Sequence, residues 1–437
     1  MKNTISHETP IYAVPEKTLV PVSDYFGRLT PIPPSRMFLI NKSLAVYKER
    51  NPDSPTYDAS QGDGGASLPG TPVELLERAA QMQVENGTAY GMPFGTNDFR
   101  KAVIEDYWKL DPGLGIGPGN ITGTAGGRDA LVKAYRAMLA LGHGREGDVL
   151  VVSRVPWISY NWGPYGVGAN VMWAPGHPDE GWVYSAESIH ACVDYAAKTG
   201  RKIAGLVITC PDNPTGLTIS PEKQAHLAKV ALQAGVAFVL FDWMYHFVTD
   251  EKPMELNSFL EYFDPKERKR LMFLDGLTKS LGASNIRNCH LIASEEVTKY
   301  IVAYASHSVM PSYYSLAVAM AAYRMGYQEA SRSIVEPTNA SRKVLKQFLE
   351  ERGLRYILGK GYYAFIHVGE WLEGSDWKDS EPLGQYLAEE HGVAIVPGAF
   401  FSPFGGEWIR FSYATPEQKT LGAAERLLDG LNEMRND

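Results

Sequence analysis

The stretch IAGLVITCPDNPTG (residues 203–216) joins a continuous apolar run to a turn of Pro, Asp, Asn and Gly. A short run of this kind, without strict polar alternation, is typical of a strand buried on both faces of a mostly parallel sheet. The same pattern predicts further strands at residues 149–153, 170–174, 236–241, 271–275 and 290–294. In open α/β sheets ligands bind at the carboxyl ends of the strands, so polar residues directly after each run are candidate site residues.

Helical patterns precede these strands at residues 35–50, 73–85, 97–110 and 128–141 and separate them at 186–198 and 221–234. This alternation predicts an α/β fold, with a large, mostly parallel sheet sandwiched by helices. A long helical region (311–352), short strands at 362–368, 393–397 and 408–412, and a closing helix from Pro416 predict a smaller α+β domain. We therefore divide the chain into an N-terminal arm with part of the small domain (1–60), a large domain (61–325) and a small C-terminal domain (326–437).

The composition excludes several classes of protein. The chain has 437 residues, 44% of them hydrophobic and 21% charged, and a formal net charge of −8, which does not favour binding to nucleic acid. We expect no membrane span and no signal peptide, because the sequence has no run of eighteen apolar residues and its first residues have no apolar core. Three widely spaced cysteines, Cys192, Cys210 and Cys289, fit a reduced cytoplasmic protein without a disulfide framework or a zinc site.

Two glycine-containing turns are the first candidate site segments. In TGTAGGRDAL (122–131), Gly126 and Gly127 precede a helix near Arg128, where free backbone amides and the helix dipole attract phosphate. In CPDNPTG (210–216), Asn213 follows directly after a strand. Each segment alone is also explained by ordinary capping or turn chemistry.

Two charged segments complete the set. Asp242 ends a very apolar strand, where a carboxylate is costly to bury without a cationic partner, although it also suits a helix N-cap. In LDGLTKSLGASNIR (274–287), Lys279 follows a strand and Arg287 lies eight residues later. A desolvated lysine can attack an aldehyde and an arginine can hold a phosphate bidentately, whereas most single Lys and Arg side chains are surface cations.

The order and spacing of these four segments resemble the class I/II aminotransferases, fold-type-I enzymes related to aspartate aminotransferase that use pyridoxal 5′-phosphate (PLP). The resemblance runs from about Tyr57 to the C-terminus. It implies that Lys279 forms the Schiff base with PLP and acts as the catalytic base. It also implies that Asp242 pairs with the pyridine nitrogen, and that Tyr245 and Asn213 bind the 3′-oxygen of the ring.

The resemblance assigns further residues to the cofactor. Gly126, Gly127 and Arg128 occupy the positions of the phosphate cup, Arg287 that of the phosphate arginine, and Thr278 that of a helper beside the lysine. The residues around Arg287 lack both glycines usual in the family, so this segment is expected to bend differently.

Other matches concern the pyridine face, the substrate and the assembly. Trp157 matches the aromatic residue that stacks on the pyridine ring; a core tryptophan is the alternative, and the motif match favours stacking. Arg410 matches the arginine that binds the substrate α-carboxylate, and Gly62 and Asn213 lie in substrate-contacting positions. Tyr90 resembles the tyrosine that reaches the cofactor of a partner subunit, which implies a homodimer with shared active sites.

The sequence leaves the reaction and the substrate open. The predicted function is transfer of an amino group between an L-α-amino acid and a 2-oxo acid by a ping-pong mechanism. The alternative is a PLP-dependent lyase or synthase, because the same fold serves both. A non-catalytic regulator is a third reading, but the chain has no DNA-binding helix-turn-helix signature at its start. HSVMPSYY (307–314) lacks the arginine of dicarboxylate-specific relatives, which tilts the prediction towards bulky or aromatic donors.

Overall fold

The computed structural model describes residues 7–22, 32–34 and 36–436. The strands are β1 (Ile11–Tyr12), β2 (Tyr57–Asp58), β3 (Ile121–Thr124), β4 (Val149–Val152), β5 (Asn170–Trp173), β6 (Ile203–Thr209), β7 (Phe238–Asp242), β8 (Leu271–Gly276), β9 (Cys289–Ile292), β10 (Tyr356–Leu358), β11 (Tyr363–His367), β12 (Val393–Ala394), β13 (Val396–Pro397) and β14 (Trp408–Ser412).

The helices are α1 (Met37–Arg50), α2 (Val73–Asn86), α3 (Asn97–Ala102), α4 (Gly127–Gly142), α5 (Ile158–Trp162), α6 (Ala186–Lys198), α7 (Pro221–Gln233), α8 (Leu256–Leu260), α9 (Pro265–Arg268), α10 (Glu295–Ala305), α11 (Tyr313–Met325), α12 (Tyr327–Glu351), α13 (Gly369–Leu372), α14 (Ser380–Glu390) and α15 (Glu417–Asn436). A π-helical turn, Val103–Tyr107, continues α3, so the helix predicted at 97–110 changes its hydrogen-bond pattern midway. In the described parts of the chain, no helix is both long and apolar enough to cross a bilayer.

An eight-stranded sheet with the order β1-β5-β4-β6-β7-β8-β9-β3 forms the larger part of the fold. Strands β5, β4, β6, β7 and β8 are parallel, whereas β9 runs antiparallel to both β8 and β3. Alternate residues of one strand enter different cores: Val149 and Val151 belong to one, Leu150 and Val152 to the other. Both faces are therefore covered, which confirms the predicted α/β class with a mostly parallel sheet.

A second sheet, β10-β11-β14-β13, is antiparallel throughout and lies in the C-terminal part of the chain. It has a core of its own, to which helices α12, α14 and α15 contribute residues such as Leu345, Leu387 and Leu427. The predicted smaller α+β unit is thus present, while the boundaries at residues 60 and 325 stay predictions.

The N-terminal arm is divided between the two parts. Strand β1 pairs antiparallel with β5 at the edge of the large sheet. Asn170 fixes the next described segment, because its side chain exchanges two 2.9 Å hydrogen bonds with the backbone of Val20. Helix α1 instead packs against α14 of the small unit. The prediction placed the arm beside the small domain; residues 7–22 lie on the large sheet because that sheet has a free edge strand to pair.

Candidate active site

A cavity of about 340 Å³ opens at the carboxyl ends of the parallel strands. Its walls come from segments that follow β3, β4, β6, β7 and β8, as the alternation of strands and helices predicted. The sequence-predicted residues that line it are Gly127, Arg128, Trp157, Asn213, Asp242, Tyr245, Thr278, Lys279 and Arg287. The fold thus brings together residues that are more than 150 positions apart in the chain.

Lys279 follows β8 and extends into this cavity. Its Nζ donates a hydrogen bond to the backbone oxygen of Gly62, which the family resemblance assigned to a substrate-contacting position. The same Nζ lies 5.6 Å from the ring centroid of Tyr245. Burial lowers the pKa of the Lys279 amine, which increases the neutral, nucleophilic fraction at neutral pH.

Asp242 is the last residue of β7 and lies at the floor of the cavity. Its Oδ2 accepts a 2.6 Å hydrogen bond from the hydroxyl of Tyr160, and its Oδ1 accepts one of 3.1 Å from the amide of Met244. Burial raises the pKa of this carboxyl to about 6, against the effect of the two hydrogen bonds. A cationic partner inside the cavity would therefore stabilise the ionised form.

Tyr245 and Asn213 lie between Lys279 and the small unit. The hydroxyl of Tyr245 is 3.0 Å from that of Tyr363 on β11, and Asn213 Oδ1 accepts a 2.9 Å hydrogen bond from Arg410. Burial raises the pKa of Tyr245 well above its usual value, so it is a neutral hydrogen-bond donor at physiological pH.

One end of the cavity is suited to an anion. Helix α4 begins at Gly127, and an ideal Cβ on Gly126 would lie 2.4 Å from Nη2 of Arg287, so the guanidinium rests directly on this glycine. Arg128 lies close enough to Arg287 for the two charges, together with burial, to lower the pKa of Arg128. The buried hydroxyl of Thr278 has no hydrogen-bond partner among the described residues. Two arginines, helix amides and a free hydroxyl form a phosphate-sized donor set.

Arg410, on β14, is only 2% exposed and borders a wider cleft of about 800 Å³. It donates hydrogen bonds to Asn213 (2.9 Å) and to the backbone oxygen of Ser60 (2.7 Å), and its guanidinium lies 4.1 Å from the ring centroid of Tyr363. Its Nε has no partner in the described structure. The cleft shares Arg128, Trp157, Asn213 and Lys279 with the cavity, so the two form one continuous space.

The remaining predicted residues differ in position. The ring of Trp157 lies in the cavity wall, 5.7 Å from the guanidinium of Arg128 and edge-on to Tyr160. Tyr90 is 95% exposed and contributes to neither the cavity nor the cleft of its own chain. Tyr160 and Tyr363 were missed by the sequence analysis. Tyr160 follows Trp157 by one helical turn, which was the available signal, whereas Tyr363 reaches the site only through the packing of the small unit.

The model of the family "Aminotransferase class I and II" matches residues 60–427 of this sequence. The chain belongs to this family. An aspartate/prephenate aminotransferase of Thermus thermophilus is 26% identical over 91% of this chain and 96% of its own length. An aspartate aminotransferase of Bacillus subtilis is 24% identical over 92% of this chain and 97% of its own length.

Solved aminotransferase structures have the same fold. A double mutant of the Thermus thermophilus aspartate aminotransferase superposes with a TM-score of 0.77 at 24% identity, covering 91% of this chain and 97% of that one. An aspartate aminotransferase of Thermotoga maritima gives 0.76 at 22% identity, over 92% and 98% of the chains. The protein is thus a PLP-dependent aminotransferase by family, and aminotransferases of this family act on amino and keto acids.

The residues present fit PLP as a cofactor. The cavity has an amine at Lys279, a carboxylate floor at Asp242 and a donor set for phosphate at the start of α4. Two observations agree with this assignment. The hydroxyl of Thr278 has no partner among the described residues, and Gly126 leaves room for the guanidinium of Arg287, so both groups can donate to a bound phosphate.

Proposed function

We propose that this aminotransferase transfers the amino group of an L-α-amino acid to a 2-oxo acid, with PLP held in the cavity at the ends of β6, β7 and β8. The observation that carries this proposal is the convergence of Lys279, Asp242 and paired arginines on one cavity that continues into the cleft at Arg410. These groups supply a nucleophilic amine, a partner for a ring cation and two separate anion sites.

Bound PLP supplies an aldehyde that condenses with amines and a ring that accepts the electrons released at the substrate Cα. Lys279 would hold the aldehyde through its Nζ, and the same Nζ would serve as the base for the proton on the substrate Cα. Its lowered pKa suits both roles, because a neutral amine is required each time. The hydrogen bond to the oxygen of Gly62 directs Nζ towards the cleft side of the cavity.

The ring is oriented by residues on opposite sides of the cavity. Asp242 would bind the protonated ring nitrogen, and the hydroxyl of Tyr160 fixes the carboxylate for that contact. Tyr245 and Asn213 would donate to the ring oxygen, and Trp157 would cover one face of the ring. Arg128, Arg287, Thr278 and the amides at the start of α4 would hold the phosphate.

Arg410 would bind the α-carboxylate of each substrate in turn. Its guanidinium is held in place by Asn213 and by the backbone oxygen of Ser60, and a free Nε remains in addition. A buried arginine without a carboxylate partner among the described residues is strongly stabilised by an anionic ligand, because the ligand compensates its charge. The same contact would serve the amino acid in the first half-reaction and the 2-oxo acid in the second.

A homodimer with shared active sites is part of the proposal. Tyr90 is almost fully exposed, and Val84 and Met92 beside it in sequence are exposed apolar side chains as well. Apolar side chains that face solvent together mark a contact surface. A second copy of the chain would cover them and could bring Tyr90 to its neighbour's phosphate site.

The decisive experiment is the absorbance spectrum of the PLP-loaded protein, recorded before and after addition of single L-amino acids without a 2-oxo acid. Conversion of the visible band to the pyridoxamine form, and its return on addition of a 2-oxo acid, would support transamination. Release of ammonia, CO₂ or another fragment without that conversion would support the lyase alternative. A protein that binds no PLP would contradict the proposal.

A further inference from the structure

Three helices face the cleft beside Arg410 with apolar side chains. Leu131 and Tyr135 lie one turn apart on α4, and Ile158 and Trp162 lie one turn apart on α5. Met37, at the start of α1, forms the opposite border. Spacings of four residues place each pair on one helix face, so apolar side chains from three helices contribute to the wall of the cleft.

Part of this surface is exposed in the structure. Ile158, Trp162 and Met37 are only half-buried, although they face a recess. Tyr135 is buried, and its hydroxyl has no hydrogen-bond partner among the described residues. A ligand that removes the half-buried apolar side chains of this concave space from water would be stabilised by their burial.

The charges of the cleft do not suit a second carboxylate. Its cationic residues in the described chain are Arg128, Lys279 and Arg410, which have roles at the phosphate, the amine and the α-carboxylate. The other charged residues of its lining are two acids, Asp58 and Asp63. Among the described residues of its own chain, a side-chain carboxylate would find no further cation in this recess, which is unfavourable in a partly desolvated site.

Hydrogen bonds within the loop hold the two acids in place. Asp58 Oδ1 accepts hydrogen bonds from the amide (2.9 Å) and the hydroxyl (2.6 Å) of Ser60, and Asp63 Oδ1 accepts one of 3.1 Å from the amide of Gly65. Both flank the loop that contains Gly62, the contact of Lys279. Two carboxylates therefore lie on the side of the cleft from which the substrate enters.

On the basis of the proposed function, we propose that the preferred amino donor is an aromatic L-amino acid whose ring lies against Ile158 and Trp162, and that aspartate and glutamate are poor donors. The ring would fill the recess between α1, α4 and α5 while Arg410 binds the α-carboxylate. The acids at positions 58 and 63 would act against dicarboxylate substrates, so discrimination uses both attraction and repulsion.

The test compares donors on the PLP-loaded enzyme in single-turnover half-reactions. Phenylalanine, tyrosine and tryptophan should convert the cofactor with kcat/KM values about ten- to a hundredfold above aspartate and glutamate, the range expected for burying one large apolar side chain. A preference for aspartate or glutamate would overturn the inference while leaving the proposed function intact. Conversion by no amino acid at all would instead count against the proposed function.

A binding measurement tests the cleft independently of turnover. Calorimetric titration of the PLP-loaded protein with 3-phenylpropanoate and with butanedioate should show tighter binding of the phenyl compound. Trp162→Ala should weaken 3-phenylpropanoate about tenfold and leave butanedioate nearly unchanged. The matched control is Trp377→Ala, a half-buried tryptophan in the core of the small unit, which should affect neither ligand.

Ile158→Ala provides a second variant if Trp162→Ala does not fold, and the same direction of change is expected. Equal affinity of the wild-type protein for the two analogues, or an unchanged affinity for 3-phenylpropanoate in a folded variant of either residue, would contradict the inference.

Discussion

The carboxyl of Asp242 gives the protein without PLP a specific dependence of stability on pH. Burial raises its pKa from 3.8 to about 6, so the folded chain holds this proton more tightly than the unfolded chain does. Its contribution to stability is therefore complete below about pH 4 and is lost as the pH rises through about 6. A shift of this size corresponds to about 3 kcal/mol.

Asp242→Asn removes that dependence. In PLP-free protein the variant should be more stable than the wild type at about pH 8, and the advantage should shrink towards pH 5. Urea denaturation at the two pH values measures it. PLP should stabilise the wild type more than the variant, because only a carboxylate gains from a ring cation. A stability difference that is independent of pH would show that Asp242 is not the group that titrates.

The sequence predicted those site residues whose position is marked by a local pattern in the chain. Lys279, Asp242 and Asn213 each follow an apolar strand, and the ends of neighbouring parallel strands meet in space. Tyr363 could not be predicted in the same way. It belongs to a strand of the second sheet, and its 3.0 Å approach to Tyr245 depends on how two units pack, which no local pattern encodes. The role of Tyr90 stays a prediction.

At the scale of elements, the longer apolar strands were predicted well, whereas some short or polar strands were missed. Strand β6 (Ile203–Thr209) ends one residue before Cys210, the last residue predicted for it. The agreement is close because a long apolar run is followed directly by a turn. Strand β3, with the sequence ITGT, and the two-residue β1 have no such run. They are strands because they pair antiparallel with β9 and β5 at opposite edges of the sheet. Pairing at an edge depends on the partner more than on the segment's own propensity.

The start of helix α4 allows a prediction about the phosphate site. Gly126 has φ +87° and supports the guanidinium of Arg287 at a distance that no Cβ allows. Gly126→Ala should displace Arg287 and weaken PLP binding by about ten- to a hundredfold, the loss expected for a hydrogen bond to a charged group. Equilibrium dialysis measures it.

Gly235→Ala is the matched control for this substitution. Gly235 has a similar φ of +95°, but an added Cβ would meet nothing within 4 Å. The control includes the backbone strain without the contact, so it should lower stability and leave the affinity for PLP unchanged. Equal losses of affinity in the two variants would locate the effect in backbone strain instead of the phosphate site.

A buried polar cluster behind the sheet joins β8 to the π-helical turn. Asp242 is in register with Leu274, so Asp275 points to the opposite face. There it accepts hydrogen bonds from the hydroxyl of Tyr107 and the amide of Gly276 (2.6 Å), and Nε2 of His246 lies 2.8 Å away. The cluster therefore connects strand β8 with two segments that are distant in sequence.

Asp275→Ala leaves half-buried Tyr107 and buried His246 without this acceptor and should lower the free energy of unfolding by about 3 kcal/mol. Urea denaturation of the PLP-free variant measures this. Glu336→Ala removes an exposed partner of Arg332 and should change stability by less than about 1 kcal/mol. If the two variants lose similar amounts, the cluster does not stabilise the sheet.

At the scale of the whole molecule, a single chain lacks one of its predicted cofactor contacts. Tyr90 faces solvent on its own subunit, so we expect it to act on the cofactor of another copy. Mixtures of two defective variants test this. In Lys279→Ala each site lacks its amine, and in Tyr90→Ala each site would lack the tyrosine supplied by its neighbour. A hybrid dimer has both defects in one site and none in the other, so an equal mixture after subunit exchange should reach about a quarter of wild-type activity.

Each variant measured alone is the control for this experiment. Lys279→Ala homodimers should be inactive, and Tyr90→Ala homodimers should bind PLP more weakly at every site, so activity above the sum of the two can arise only from hybrids. Light scattering before mixing should give the mass of a dimer. If Tyr90 acts within its own chain, Tyr90→Ala subunits keep their defect in every hybrid, and the mixture gains nothing over the separate proteins.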